Sequence, residues 1–278
     1  MKNSKIFALS FLALSVLASA CKKDSEQDWN FTTDNSLSED AYQDVYKSAN
    51  SVGEGNESDL RASCAQISHS SPLNNGARTY PDTVIVNFGD TTAPCTAQNG
   101  VVRSGSLTMI FSGRWRDANT VVRITPNNYR VNGNLLGGTK TITRQAANAA
   151  GNPVHTVVVQ NGSVTNRAGQ TRYWACNKTF EWAAGSTTTF ANGGAAGVLD
   201  DVFHITGTAN GTTVAGNTYT VTTNTPLVRR MDCRWITQGV LNIAPASGTG
   251  YSLDFGTGAC DNQATATFGN NSIGITLN

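Results

Sequence analysis

The residues best equipped for chemistry are few. His69, His155 and His204 are the three histidines, and each is a candidate general base. His69 falls in a Ser-His-Ser-Ser-Pro loop, while His155 and His204 alternate with apolar or threonine neighbours, the usual setting of a strand histidine. Beyond residue 63 Glu181 is the sole glutamate, accompanied by Asp82, Asp90, Asp117, Asp200, Asp201, Asp232, Asp254 and Asp261. A glycoside hydrolase needs two carboxylates about 5 to 9.5 Å apart, and Glu181 with Asp200 or Asp201 is the pair that could supply them. Turn chemistry explains Asp200-Asp201, which precede a strand, and Asp254 to Asp261, which surround a glycine turn, more cheaply than calcium or catalysis does. Exposed indoles stack on sugar rings, so Trp115, Trp174 and Trp182 form a candidate ligand platform; the alternative is that they fill the core. No G-x-S-x-G elbow, phosphate-binding loop or dinucleotide fingerprint occurs, and no cofactor is expected.

Six cysteines are present, at 21, 64, 95, 176, 233 and 260. Neither CxxC nor HxxxH spacing occurs, so no metal site is expected. Cys21 ends the stretch MKNSKIFALSFLALSVLASAC. Lys2 and Lys5 give a positive start, Ile6 to Leu17 is an apolar run too short to span a core of ~30 Å, and Ala18-Ser19-Ala20 is a small-residue cleavage site. One reading is a plain secretory signal, residues 1–20, releasing a soluble chain. The sharper one rests on the cysteine at the cut, which resembles a bacterial lipoprotein signal; Ala18 stands where that motif usually has leucine. The resemblance implies acylation of the Cys21 thiol and amine, and two or more chains anchor stably at about 0.8 kcal/mol per buried methylene. Lys22, Lys23, Asp24, Ser25 and Glu26 also resemble the export tags of surface lipoproteins in the Bacteroidota, which implies outward display.

The exported setting permits disulfides. With Cys21 acylated, two bridges among the remaining five cysteines can be drawn in 15 ways. Proximity favours Cys64–Cys95 and Cys233–Cys260, leaving Cys176 as a buried apolar thiol.

The scaffold for these groups reads as β structure. The chain holds 35 Thr, 28 Asn and 27 Gly, and only 14% of its 278 residues are charged. Threonine favours strands, asparagine and glycine favour turns. Val84, Val86 and Phe88 alternate with Ile85 and Asn87. The same period joins Leu107, Met109 and Phe111; Trp174, Cys176, Phe180 and Trp182; and Ile273, Ile275 and Leu277. Such alternation predicts strands with one buried face. Asn-Gly pairs at 75, 99, 132, 161, 192 and 210 predict hairpin turns. Ser36 to Glu39 fits a capping box, and Leu37, Ala41, Val45 and Tyr46 predict one amphipathic helix over about 37–50. That helix belongs to a lipidated tether, residues 21–62, whose end at 51–62 reads as a linker. The expected fold is all-β, an antiparallel meander over 63–278 curved into a barrel-like or sandwich form, with one short N-terminal helix. A faint echo, VIVNFG before Cys95 and SLDFG before Cys260, suggests two related halves, 63–168 and 169–278.

The β region resembles an uncharacterised family of Bacteroidota lipoproteins. The segments that carry this are SCAQ (63–66), TVIVNFG through Cys95, NGVVRSGSLTMIFSG (99–113), NNYRVNGNLLGGTKTIT (127–143) and the tail from CRWITQGVLNIAP to IGITL (233–277). The resemblance implies an envelope location and an all-β body, and brings no catalytic residue. Cys176 has no counterpart in it.

Loss of Lys2 and Lys5 would leave 18 cations against 19 acids, with no basic stripe for nucleic acid. The expected function is a non-enzymatic surface module, held to the membrane through Cys21, that binds a glycan or protein ligand. The alternatives are a carbohydrate-active hydrolase using Glu181, and a structural or assembly lipoprotein of the outer membrane.

Overall fold

The computed structural model describes residues 30–277, apart from residues 76 and 98. The signal segment, Cys21 and the tether up to residue 29 lie outside the described residues. The chain opens with α1 (Asn30–Gly53) and α2 (Glu57–Ala62), followed by β1 (Gln66–His69), β2 (Leu73–Asn74), β3 (Ala77–Arg78), β4 (Asp82–Asn87) and β5 (Cys95–Thr96). Longer strands follow: β6 (Val102–Phe111), β7 (Val121–Val131), β8 (Asn134–Gln145), β9 (Val154–Thr165) and β10 (Thr171–Ala184). Two single-turn helices, α3 (Phe190–Gly193) and α4 (Ala196–Leu199), lead to β11 (Val202–Thr212), β12 (Thr218–Arg230) and β13 (Ile236–Pro245). The chain ends in β14 (Tyr251–Thr257), β15 (Gln263–Phe268) and β16 (Asn271–Thr276).

The strands form one antiparallel sheet in the order β1-β4-β6, then each successive strand to β16, with β5 paired to β6 and β2–β3 a separate ribbon. Its edges, β1 and β16, do not pair, so the meander curls without closing into a barrel. Period-2 patterning sets its inner face: Val84, Val86, Phe88, Leu107, Met109, Phe111, Phe180 and Trp182 are buried, while Ile85 and Ile110 are exposed. Pairing continues across residue 168, where β9 and β10 match from Thr165↔Thr171 to Val154↔Glu181. The echo has a local physical basis. Gly89 and Gly256 both take positive φ, and their N–H groups donate to Asn87 Oδ1 and Asp254 Oδ1 at 3.0 and 2.8 Å. Each is an Asx turn that ends an inward Phe before a bridged cysteine.

Asn-Gly serves more uses than hairpins. Asn132-Gly133 is the two-residue turn between β7 and β8, with φ of 51° and 85°, and Asn75 opens the turn of β2–β3. Asn161-Gly162 instead sits inside β9, where the pairing register shifts, and Asn210-Gly211 lies within β11. Asn192-Gly193 closes α3, and Asn99-Gly100 lies in the loop before β6. Positive φ is what a bulge needs as well as a tight turn.

The helix departs most from expectation. It spans 24 residues, starting at Asn30, and 18 of them are buried, including Asp34, Asn35, Glu39, Gln43, Asp44 and Asn50. A helix buried on every side is ordinarily apolar on every side. This one is polar because the sheet wraps it with charges of its own. Ser36 and Glu39 therefore lie within the helix rather than capping it, and the stretch read as a linker contains α2.

Candidate functional site

Asp34, Glu39 and Asp44 recur every five residues along α1, and Glu54 stands ten further on. Five residues advance the helix about 7.5 Å and turn it about 140°, so successive acids face different directions. Only a surrounding sheet can meet them all. Asp34 pairs with Arg172 Nε at 2.9 Å, Glu39 with Lys178, and Glu54 with Arg116 Nη2 at 2.7 Å. Asp44 receives Arg103 Nε at 2.9 Å, Arg103 Nη2 at 2.5 Å and the Tyr129 hydroxyl at 2.5 Å. Burial alone would raise the Asp44 carboxyl; the charge and hydrogen bonds of Arg103, with the Tyr129 hydroxyl, hold it below its ordinary value. Lys140 Nζ donates to Tyr42 O at 2.6 Å, and the Tyr42 hydroxyl donates to Gly137 O at 2.6 Å. Tyr42 also stacks on Trp174, whose indole N–H donates to Asn35 Oδ1.

One side of α1 is left to a crevice. Asp40, Asp44 and Lys47 face a wall from residues 99–101 and 131–134 on one hand and Arg229 and Arg234 on the other. A larger cavity of about 290 Å³, sharing Lys47, Asn99 and Arg234 with this one, lies beside Ser48, Ser51, Asn56, Arg103 and Cys233. Its lips are braced. Cys64–Cys95 ties the end of α2 to the strand preceding Ala97 and Asn99, Cys233–Cys260 fixes the loop after β12, and Lys47 Nζ donates to Cys233 O at 3.0 Å. Both bridges are the pairs that proximity favoured, and Cys176 is free and buried.

The crevice is electrostatically tense. Burial pushes the Asp40 carboxyl up to about 7, against the opposing pull of Arg229. Burial and the charge of Arg229 drive the Lys47 ammonium well below its ordinary value. Burial lowers Arg229 to about 10, countered chiefly by Asp40. Asp40 Oδ2 and Arg229 Nε are buried with no hydrogen-bond partner. Unsatisfied polar atoms of this kind are costly and call for an explanation.

The residues singled out from sequence do not converge. Trp115, Trp174 and Trp182 are 3%, 3% and 1% exposed, so they fill the core and offer no stacking platform. The large inward positions of β10 and the loop after β6 needed bulk to pack α1, and Trp115 meets the helix at Gly53. Glu181 points outward, accepting from Asn148 and Asn152 side chains at 2.9 and 2.6 Å. Asp201 is buried beneath Trp182, whose indole N–H donates to it at 2.9 Å, and Asp200 accepts from the Thr188 hydroxyl. Glu181 and Asp201 therefore lie on opposite faces of the sheet, and no hydrolytic pair forms from them. Burial raises Asp201 to about 8, against the Trp182 hydrogen bond. His69 is clamped between Glu57 and Asp82, each at 2.7 Å, His155 bonds the buried Tyr46 hydroxyl at 2.8 Å, and His204 pairs across from Glu181.

Sequence reasoning missed Asp40, Lys47, Arg103, Arg229 and Arg234. A signal existed: Arg172 and Lys178 share the inward parity of Trp174, Cys176, Phe180 and Trp182, and cations at core positions imply buried acids opposite. Comparison with family models, with curated proteins and with solved structures finds no match to this chain.

Proposed function

We propose that this protein is a lipid-anchored binding module of a bacterial envelope, held through Cys21 and receiving a ligand in the crevice beside α1. The braced crevice carries the reading: two disulfides and the Lys47 contact fix its lips, while Arg229 and Asp40 present unpartnered polar atoms within it. Rigid walls with a few convergent polar groups are the hallmark of a ligand site. The carboxylate pair that sequence offered for hydrolysis does not form, since Glu181 and Asp201 face apart.

The anchor fits the same picture. Asn30, the first residue of α1, stands nine residues after Cys21, at most about 30 Å of chain. An acylated Cys21 would therefore hold the body close to the bilayer by its own central post. Among the described residues no helix is long and apolar enough to cross a membrane. The outward side of the sheet carries Arg123, Asn127, Asn177, Thr179 and Glu181, which suits water. The likeness to Bacteroidota surface lipoproteins supports the same location. Membrane fractionation tests the anchor: Cys21→Ser should move the protein to the soluble fraction, and retention in the membrane would refute acylation.

A further inference from the structure

We propose that the crevice beside α1 binds a small hydroxylated carboxylate, of the sugar-acid class, with Arg229 and Arg234 receiving the carboxylate. The inference deepens the binding-module reading and rests on it.

The charge count sets the sign of the ligand. Asp44 is committed to Arg103, and Asp232, on the rim, to Arg230 at 2.5 Å. What remains is Lys47, Arg229 and Arg234 against Asp40. With Lys47 held well below its ordinary value, Arg229 and Arg234 still outnumber Asp40, so the uncommitted charge is net positive. Arg229 is 4% exposed, its Nη1 donates to Arg234 O at 2.5 Å, and its Nε has no partner. Guanidinium groups bind carboxylates through parallel N–H donors, and an unused buried donor is the vacancy such a ligand fills. A bound anion would also oppose the burial and the Arg229 charge that together depress Lys47.

The remaining lining sets the class. Ser48, Ser51, Asn56 and Asn99 contribute hydroxyls and amides, set among the apolar side chains of Leu60, Val198, Leu199 and Met231. The polar groups satisfy ring hydroxyls, and the apolar ones pack against the C–H face of a ring. The larger cavity, which has Arg234 in common with the smaller one lined by Arg229, holds about 290 Å³, at the small end of ligand sites, which limits the occupant to a single ring. A polymer could enter only by a terminal residue.

Isothermal titration of the detergent-solubilised full-length protein with glucuronate, glucose and inorganic phosphate tests this. Saturable one-to-one binding of glucuronate is expected, with glucose at least tenfold weaker. Arg234→Gln, at a half-buried position with its backbone bond kept, should weaken glucuronate at least tenfold while the thermal transition is retained. Arg229→Gln should do the same if it folds. Asn56→Ala should weaken glucuronate severalfold and leave phosphate unchanged. Absence of glucuronate binding, equal binding of glucose, or an unaffected Arg234→Gln variant would overturn the site. Phosphate binding as tight as glucuronate, with Asn56→Ala silent, would overturn the sugar-acid class. The Cys21→Ser fractionation is independent, so the anchor and the ligand can fail separately.

Discussion

Asp44, midway along the central helix, and Arg103, at the start of β6, form a two-pronged ion pair at 2.9 and 2.5 Å inside the sheet. Both side chains are under a tenth exposed. Breaking a buried pair by removing one partner leaves an uncompensated charge and costs roughly 3 to 5 kcal/mol. Asp44→Ala should therefore lower the free energy of unfolding by about that much. Replacing both partners with apolar groups, as in Asp44→Leu with Arg103→Met, removes the orphan and should recover most of the loss. Urea unfolding of the single and double variants measures this. A single variant within about 1 kcal/mol of wild type would show that the pair does not hold the helix.

Asp201 makes stability fall with rising pH. Its folded carboxyl titrates at about 8, raised by burial and by the nearby Glu54 and Asp200, against the Trp182 hydrogen bond. Unfolded, it loses its proton near pH 4. Between about pH 4 and 8 the folded state holds the extra proton, so stability drops across that window. Asp40, at about 7, acts in the same direction. His155, lowered to about 3 by burial, acts oppositely: its contribution is present above about pH 6.5 and is lost as pH falls towards 3. Asp201→Asn keeps an acceptor for Trp182 without the ionisation. It should stabilise the protein at pH 8 and much less at pH 5. An equal difference at both pH values would reject the assignment.

The strands were legible because alternation reports burial directly: Val84, Val86 and Phe88 turn inward while Ile85 and Asn87 face out. The central helix was not. A search for a helical apolar face finds Ala41, Val45 and Tyr46, but the determinants of α1 are acids that turn about 140° at each step, and no single face collects them. The crevice was still less accessible, because Lys47, Asn99, Asn132 and Arg234 meet only once the sheet has curled. The disulfides were readable since both close loops between segments that neighbour one another along the chain.

The two bridges close separations of 31 and 27 residues. In the chain-entropy model each restricts the unfolded state by about 3.6 kcal/mol. Cys64→Ser with Cys95→Ser, and Cys233→Ser with Cys260→Ser, should each lower stability by roughly 3 to 4 kcal/mol. The losses should be close to additive, since the bridges share no partner. Denaturant melts of the two double variants and the quadruple variant check this. A loss below about 1 kcal/mol for either pair would mean that the native contacts, not the bridge, set the loop.

Gly53 reverses the usual helix rule. In an exposed helix interior, alanine is better than glycine by about 1 kcal/mol. At Gly53, however, an added Cβ would lie 2.5 Å from the Trp115 ring and 2.8 Å from its Cβ. Trp115 cannot retreat easily, because it is 3% exposed and packs against Tyr46, Phe111 and His155. Overpacking of this kind costs about 1 to 3 kcal/mol, which outweighs the propensity gain. Gly53→Ala should destabilise the protein, and Gly53→Val, which adds further atoms against the same ring, should destabilise it more. A thermal transition raised by Gly53→Ala alone would mean that the helix C-terminus does not press on Trp115.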